Sequence, residues 1–175
     1  IGGTCGFVTV CCISKSPSCG YAHLAMAFLI QIFLLRQDSM VKCGGQITLN
    51  NTYWTPPRTV TGGGTCGVTL TLDPNLVEQK RRICQVRLDF LSFSIAQPND
   101  QTVCDTDNFQ VGGTNNKVPV ICGENAGQHM YLNPPSSTTD LQLLFTLGST
   151  NIERSWNIRI SLLHCGANYL GKSTW

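Results

Sequence analysis

The chain has 175 residues, ten of them cysteine, and a formal net charge of +2. That length suits one ordinary domain plus a modest extra segment, and so small a charge gives no ground for a nucleic-acid partner. The cysteines are widely spaced, with no Cys-x-x-Cys pair to nucleate a zinc site, so they read as disulfides formed in an oxidising, extracellular compartment.

Residues 1–20 hold Cys5, Cys11, Cys12 and Cys19 among glycine, serine and threonine, with little apolar periodicity. Such a lead cannot bury a core and depends on cross-links for order. Residues 21–35 are apolar on every face and end at Arg36, with His23 and Gln31 inside the run. As a helix they would span about 22 Å, short of the roughly 30 Å of bilayer hydrocarbon. Three readings stay open: a helix packed on the domain or a partner, a signal-like or membrane-dipping segment, and a segment foreign to the mature protein. Residues 21–42 are therefore set apart as an apolar segment and linker.

From Cys43 onward the pattern is β. Residues 46–50 and 53–54 are short strand candidates, followed by a break at Pro56-Pro57 and a flexible loop at Gly62-Gly63-Gly64, which lacks the Lys-Ser/Thr of a phosphate cradle. Val68, Leu70 and Leu72 alternate with threonines and stop at Asp73-Pro74-Asn75. Lys80-Arg81-Arg82 beside Glu78 reads as a solvated loop. Val86, Leu88 and Phe90 then face one way, with Arg87 and Asp89 toward water, before the apolar phase jumps to Leu91, Phe93 and Ile95. A one-residue jump of this kind predicts a β-bulge that bends the strand and lets both sheets use it. Further strands fit 108–111, 118–122, 128–132, 141–147 and 156–163. About nine strands and no amphipathic helix predict an all-β, two-sheet antiparallel sandwich.

Five phrases in order carry a resemblance: Cys43-Gly44-Gly45, Cys66-Gly67-Val68-Thr69-Leu70, Leu88-Asp89-Phe90-Leu91-Ser92-Phe93, Cys104-Asp105-Thr106-Asp107 and Ile121-Cys122-Gly123. On these, residues 43–165 resemble a CUB domain, a disulfide-stapled extracellular jelly roll, with residues 166–175 as a tail. The wording around Cys84, Cys122 and Arg154-Ser155-Trp156 looks more narrowly like arthropod CUB-domain proteins. Gly3-Thr4-Cys5 to Cys11-Cys12 resembles the end of the clip-like segment that precedes many of them, although residues 16–41 intervene here. The resemblance implies disulfides Cys43–Cys66 and Cys104–Cys122. It leaves Cys84 and Cys165, which are expected to meet at one end of the sandwich; the alternative is that Cys165 pairs with a partner chain or a downstream segment.

Many CUB domains hold calcium at one loop end, and that resemblance puts Asp107, Asp105 and Asn151 forward as ligands. Two of the three expected carboxylates are missing, since Ala96-Gln97 and Gly148-Ser149-Thr150-Asn151 stand in their places. The charge is too low for tight binding, and Asp107 is expected to hydrogen-bond loop amides instead; no cofactor is required. Asn50-Asn51-Thr52 makes Asn50 a glycosylation acceptor. Ile1-Gly2-Gly3 and Ala22-His23 match a trypsin-like protease only by coincidence, since no Gly-Asp-Ser-Gly follows. His129 reads as structural, and His164 beside Cys165 has no ligand partner nearby. An enzyme is thus not expected. Tyr53, Trp54, Arg58, Asp107 and Asn151 are the candidate contacts of a module that binds an extracellular protein or glycan through its sandwich-end loops. The alternative is a structural or assembly subunit that associates, or touches a membrane, through residues 21–35.

Overall fold

The computed structural model describes residues 39–57, 60, 62–77, 80–136 and 138–166. Arg58, the apolar run 21–35 and Cys5, Cys11, Cys12 and Cys19 therefore lie outside the described residues. Among those described, nine strands form two sheets: β1 (Met40–Val41), β2 (Gln46–Ile47), β3 (Thr52–Trp54), β4 (Gly64–Leu70), β5 (Ile83–Ser94), β6 (Asn108–Gly112), β7 (His129–Leu132), β8 (Leu141–Leu147) and β9 (Ser155–His164). The first sheet runs β1-β3-β9-β5-β7 and the second β2-β4-β8-β6. All pairings are antiparallel except the two short edge ones, β1 with β3 and β2 with β4. No described helix is long and apolar enough to cross a membrane.

Alternation sets which face each strand buries. In β8, Leu141, Leu143, Phe145 and Leu147 point into the core while Gln142 and Leu144 point out. In β9, Trp156, Ile158, Ile160 and Leu162 do the same. Between the sheets sits an aromatic cluster centred on Phe145, whose ring stacks on Trp156 at 4.1 Å and lies 4.9 Å from Phe109 and 5.1 Å from Trp54. Replacing Phe145 with leucine is expected to lose about 1–2 kcal/mol, because four neighbouring rings cannot all collapse onto the smaller side chain. Chemical denaturation with an unchanged m-value checks this.

The bulge in β5 falls where the phase jump predicted it. Phe90 pairs with Ile158 and Ser92 with Asn157, so Leu91 is the extra residue. Two details differ from expectation. Leu91 is half exposed, because the bulge turns it off the core face that Phe93 and Ile95 resume. The strand also stays within the first sheet, pairing with β7 and β9 and making one bridge from Ser94 to Glu124. A second register shift brackets Cys84.

Elsewhere residues 118–122 make one bridge, Phe109 with Ile121, and no strand; Pro119 has no N–H to give a ladder. The strand expected over 46–50 ends at Ile47, because the chain turns at Asn51 with a φ of 56°. The first sheet starts at Met40, inside the segment read as a linker. Three disulfides staple the sandwich: Cys43–Cys66, Cys84–Cys165 and Cys104–Cys122.

Candidate interaction site at the sandwich end

Four strand ends meet at one end of the sandwich. β5 leaves the first sheet at Ser94 and β9 enters it at Ser155, while β6 begins and β8 ends beside each other in the second sheet. The intervening loops, 95–107 and 148–154, are joined here by the 121–127 turn. Gly123 bonds Ala96 and Ile95 through its backbone, and the disulfide of Cys104 with Cys122 closes the group.

Asp107 sits beneath these loops, buried together with Arg154, each side chain 0% exposed. The Ala96 amide donates to Oδ2 at 2.9 Å and the Gly148 amide to Oδ1 at 2.8 Å. Arg154 adds a two-pronged contact, Nε to Oδ2 at 2.7 Å and Nη2 to Oδ1 at 2.9 Å. Nη2 also donates to the Gly148 carbonyl at 2.8 Å and to Thr150 Oγ1 at 3.3 Å. The fit needs glycine at 148, since a Cβ there would come within 2.8 Å of the Thr106 carbonyl oxygen. Burial pushes the Asp107 carboxyl up. The hydrogen bonds from Arg154, Ala96 and Gly148 and the guanidinium charge outweigh it and hold the group below the ordinary aspartate range.

Asp107 is thus not an exposed contact, and neither of its oxygens is open to a metal. Asp105 is exposed and accepts from Asn99 Nδ2 at 2.8 Å. Among the described residues no group of three or more His, Cys, Asp or Glu side chains could hold a metal ion. The residues present do not fit the calcium set that the resemblance implies.

The other sequence candidates scatter. Trp54 is completely buried in the aromatic cluster and cannot touch a partner, which corrects its reading as a loop-end anchor. In a strand, adjacent side chains face opposite ways, so only Tyr53 of that pair looks outward, in register with Arg159. Asn51 and Leu162 donate backbone N–H groups to the Asn50 side-chain oxygen at 2.9 and 2.8 Å. Asn151 alone is both exposed and at the loop end. His129 lies on an edge strand with its ring 5.5 Å from Tyr131, and His164 is buried.

Sequence reading missed two features. Beside Asn151 is an open cleft of about 390 Å³ lined by Ile95, Ala96, Gln97, Thr106, Thr150, Ile152 and Glu153. On the outer face of the first sheet, Asp89 is buried under Arg87 and Arg159, whose guanidinium nitrogens lie 2.7 and 3.0 Å from its oxygens. It is therefore not the water-facing residue that alternation suggested. Burial raises the Asp89 carboxyl, but hydrogen bonds from the two arginines win and lower it. Arg154 itself left a signal: it is in phase with Trp156, Ile158 and Ile160, and a charge on the inward phase of a strand requires a buried partner.

No protein-family model and no curated protein matches the chain. Solved structures do. The CUB1-EGF-CUB2 fragment of human MASP-1/3 matches 70% of this chain and 43% of its own, at 16% identity and a TM-score of 0.51. The rat MASP-1 CUB1-EGF-CUB2 fragment matches 68% of this chain and 40% of its own, at 18% identity and a TM-score of 0.50. The MASP-1 CUB2 domain bound to Ca2+ is matched over 98% of its length and 68% of this chain, at 18% identity and a TM-score of 0.47. This chain thus spans less than half of either multidomain fragment. At such identities the likeness to the two CUB1-EGF-CUB2 fragments speaks to architecture alone, and together with the nine described strands and three described disulfides it shows that the described sandwich has the fold of a CUB domain.

Proposed function

We propose that this chain is a non-enzymatic, extracellular module that recognises a protein segment through the loop cluster 95–107 and 148–154. The observation that carries this reading is the open cleft between those loops. Ile152 is 37% exposed at its wall, Ile95 adds an apolar side chain, and Glu153 and Asn151 supply polar groups beside them. A solvent-facing isoleucine flanked by polar groups is the composition of an interface anchor and its rim. The lining holds no aromatic ring on which a sugar could stack, which favours a protein over a glycan. The loops are pinned from below by Asp107 and Arg154 and from the side by Cys104–Cys122, so little ordering entropy remains to be lost on binding. All six described cysteines are cross-linked, which removes them as nucleophiles and suits an oxidising compartment.

Site-specific photo-crosslinking tests the proposal. A benzophenone side chain at Ile152, in protein incubated with the fluid into which it is secreted, is expected to give a discrete protein adduct. The same probe at Leu91, on the sheet face, is expected to give none. Ile152→Asp should weaken binding of the captured partner by at least about tenfold. Equal labelling from both positions, or binding indifferent to Ile152→Asp, would remove the loop cluster as the recognition surface.

A further inference from the structure

We infer that the Arg154 guanidinium is a resident cation that takes the place of a metal ion at this sandwich end, so that the loop cluster is ordered without calcium. A carboxylate offers about four acceptor positions, and all four on Asp107 are used: two by backbone amides and two by the arginine fork. Two further oxygens beside it are engaged by the same group, since the Gly148 carbonyl and Thr150 Oγ1 both accept from Arg154 Nη2. Calcium takes six to eight oxygen ligands and relies on their negative charge. Here the oxygens already surround a cation, and a second one would meet its repulsion.

The geometry also gives Arg154 the bridging task that a metal would perform. Asp107 stands one residue before β6 of the second sheet, and Gly148 one residue after β8 of that sheet. Ala96 follows β5 and Arg154 precedes β9, both of the first sheet. One buried pair therefore ties both layers and both loops. A planar guanidinium suits the work because its two parallel N–H groups fix direction as well as charge. Being covalently part of β9, it cannot dissociate when ambient cation falls. The clasp is too deeply buried to touch a partner, so its role is to position the loops.

Melting of the whole chain under varied cations tests this. The wild-type midpoint is expected to be the same in EDTA and in millimolar calcium; a rise of several degrees with calcium, or calorimetric saturation below about 100 μM, would overturn the inference. Arg154→Ala is expected to lower the midpoint by about 10 °C or more. Low-millimolar guanidinium chloride should restore part of that loss, and equal sodium chloride should not. Failure of guanidinium to restore it, or restoration by calcium instead, overturns the assignment. If Arg154→Ala does not fold, Arg154→Lys keeps the charge and loses the fork. Its midpoint should fall while staying indifferent to calcium, and a calcium-dependent rise there is again fatal to the inference.

Discussion

Removing both Cys84 and Cys165 by alanine substitution is expected to cost about 4–5 kcal/mol, more than the loss of either other described disulfide. The bond joins residues 81 apart in sequence, whereas Cys43–Cys66 and Cys104–Cys122 span 23 and 18. In the chain-entropy picture the longer loop restrains the unfolded ensemble most, and the shorter two contribute about 3 kcal/mol each. Position adds to length. Cys84 is the second residue of β5, and Cys165 directly follows β9, so the bond clamps the open end of the sheet's central pair. The opposite end of that pair has the buried clasp of Asp107 and Arg154, leaving β5 and β9 fastened at both ends. Guanidinium denaturation of Cys84→Ala/Cys165→Ala against Cys104→Ala/Cys122→Ala compares the two directly. A smaller loss from the long-loop variant would show that native-state contacts outweigh chain entropy here.

Asp107→Asn is the second large effect, about 3–5 kcal/mol, because it leaves a buried guanidinium without its counter-charge. Its pH signature separates it from a simple packing defect. The Asp107 carboxyl titrates lower in the folded protein than in the unfolded chain. Its contribution is therefore complete above the unfolded value, near pH 4, and is lost as pH falls through the lower folded value. The wild-type protein should thus lose stability on the acid side as pH falls below the unfolded value, and Asp107→Asn should show a shallower fall. Some slope must remain, because Asp89 is also lowered and is intact in the variant. Stability profiles of the two proteins that run parallel through the acid range would contradict the assignment of this buried pair.

Strand alternation made most of the sandwich legible before any coordinates. The clearest case is β5, where a single phase jump marked the bulge, although it put Leu91 on the core face that the bulge turns it away from. The failures share a cause. Trp54 stands near Pro56-Pro57 and beside Tyr53, which suggested a loop end, but its burial depends on β9 and β8 rings far away in sequence. The cleft is built from residues 95–97, 106 and 150–153, which only tertiary closure brings together. Asp89 and Arg159 are 70 residues apart, and only their pairing across the sheet covers Asp89 on the outward face to which its phase assigns it. Arg154 was within reach of sequence reasoning, since its inward phase was countable.

The order of the strands has a kinetic corollary. β3 sits between β1 and β9 in its sheet, and β9 is the last of the described strands to be made. Until that long-range antiparallel partner has left the ribosome, Trp54 lacks the strand that shelters it, and the early strands β1 and β3, held only by their own short pair, are vulnerable to wrong associations. Assembly of this domain is consequently closed from its C-terminal side, and truncations just short of residue 155 should strand a nearly complete chain in a sticky, unfinished state.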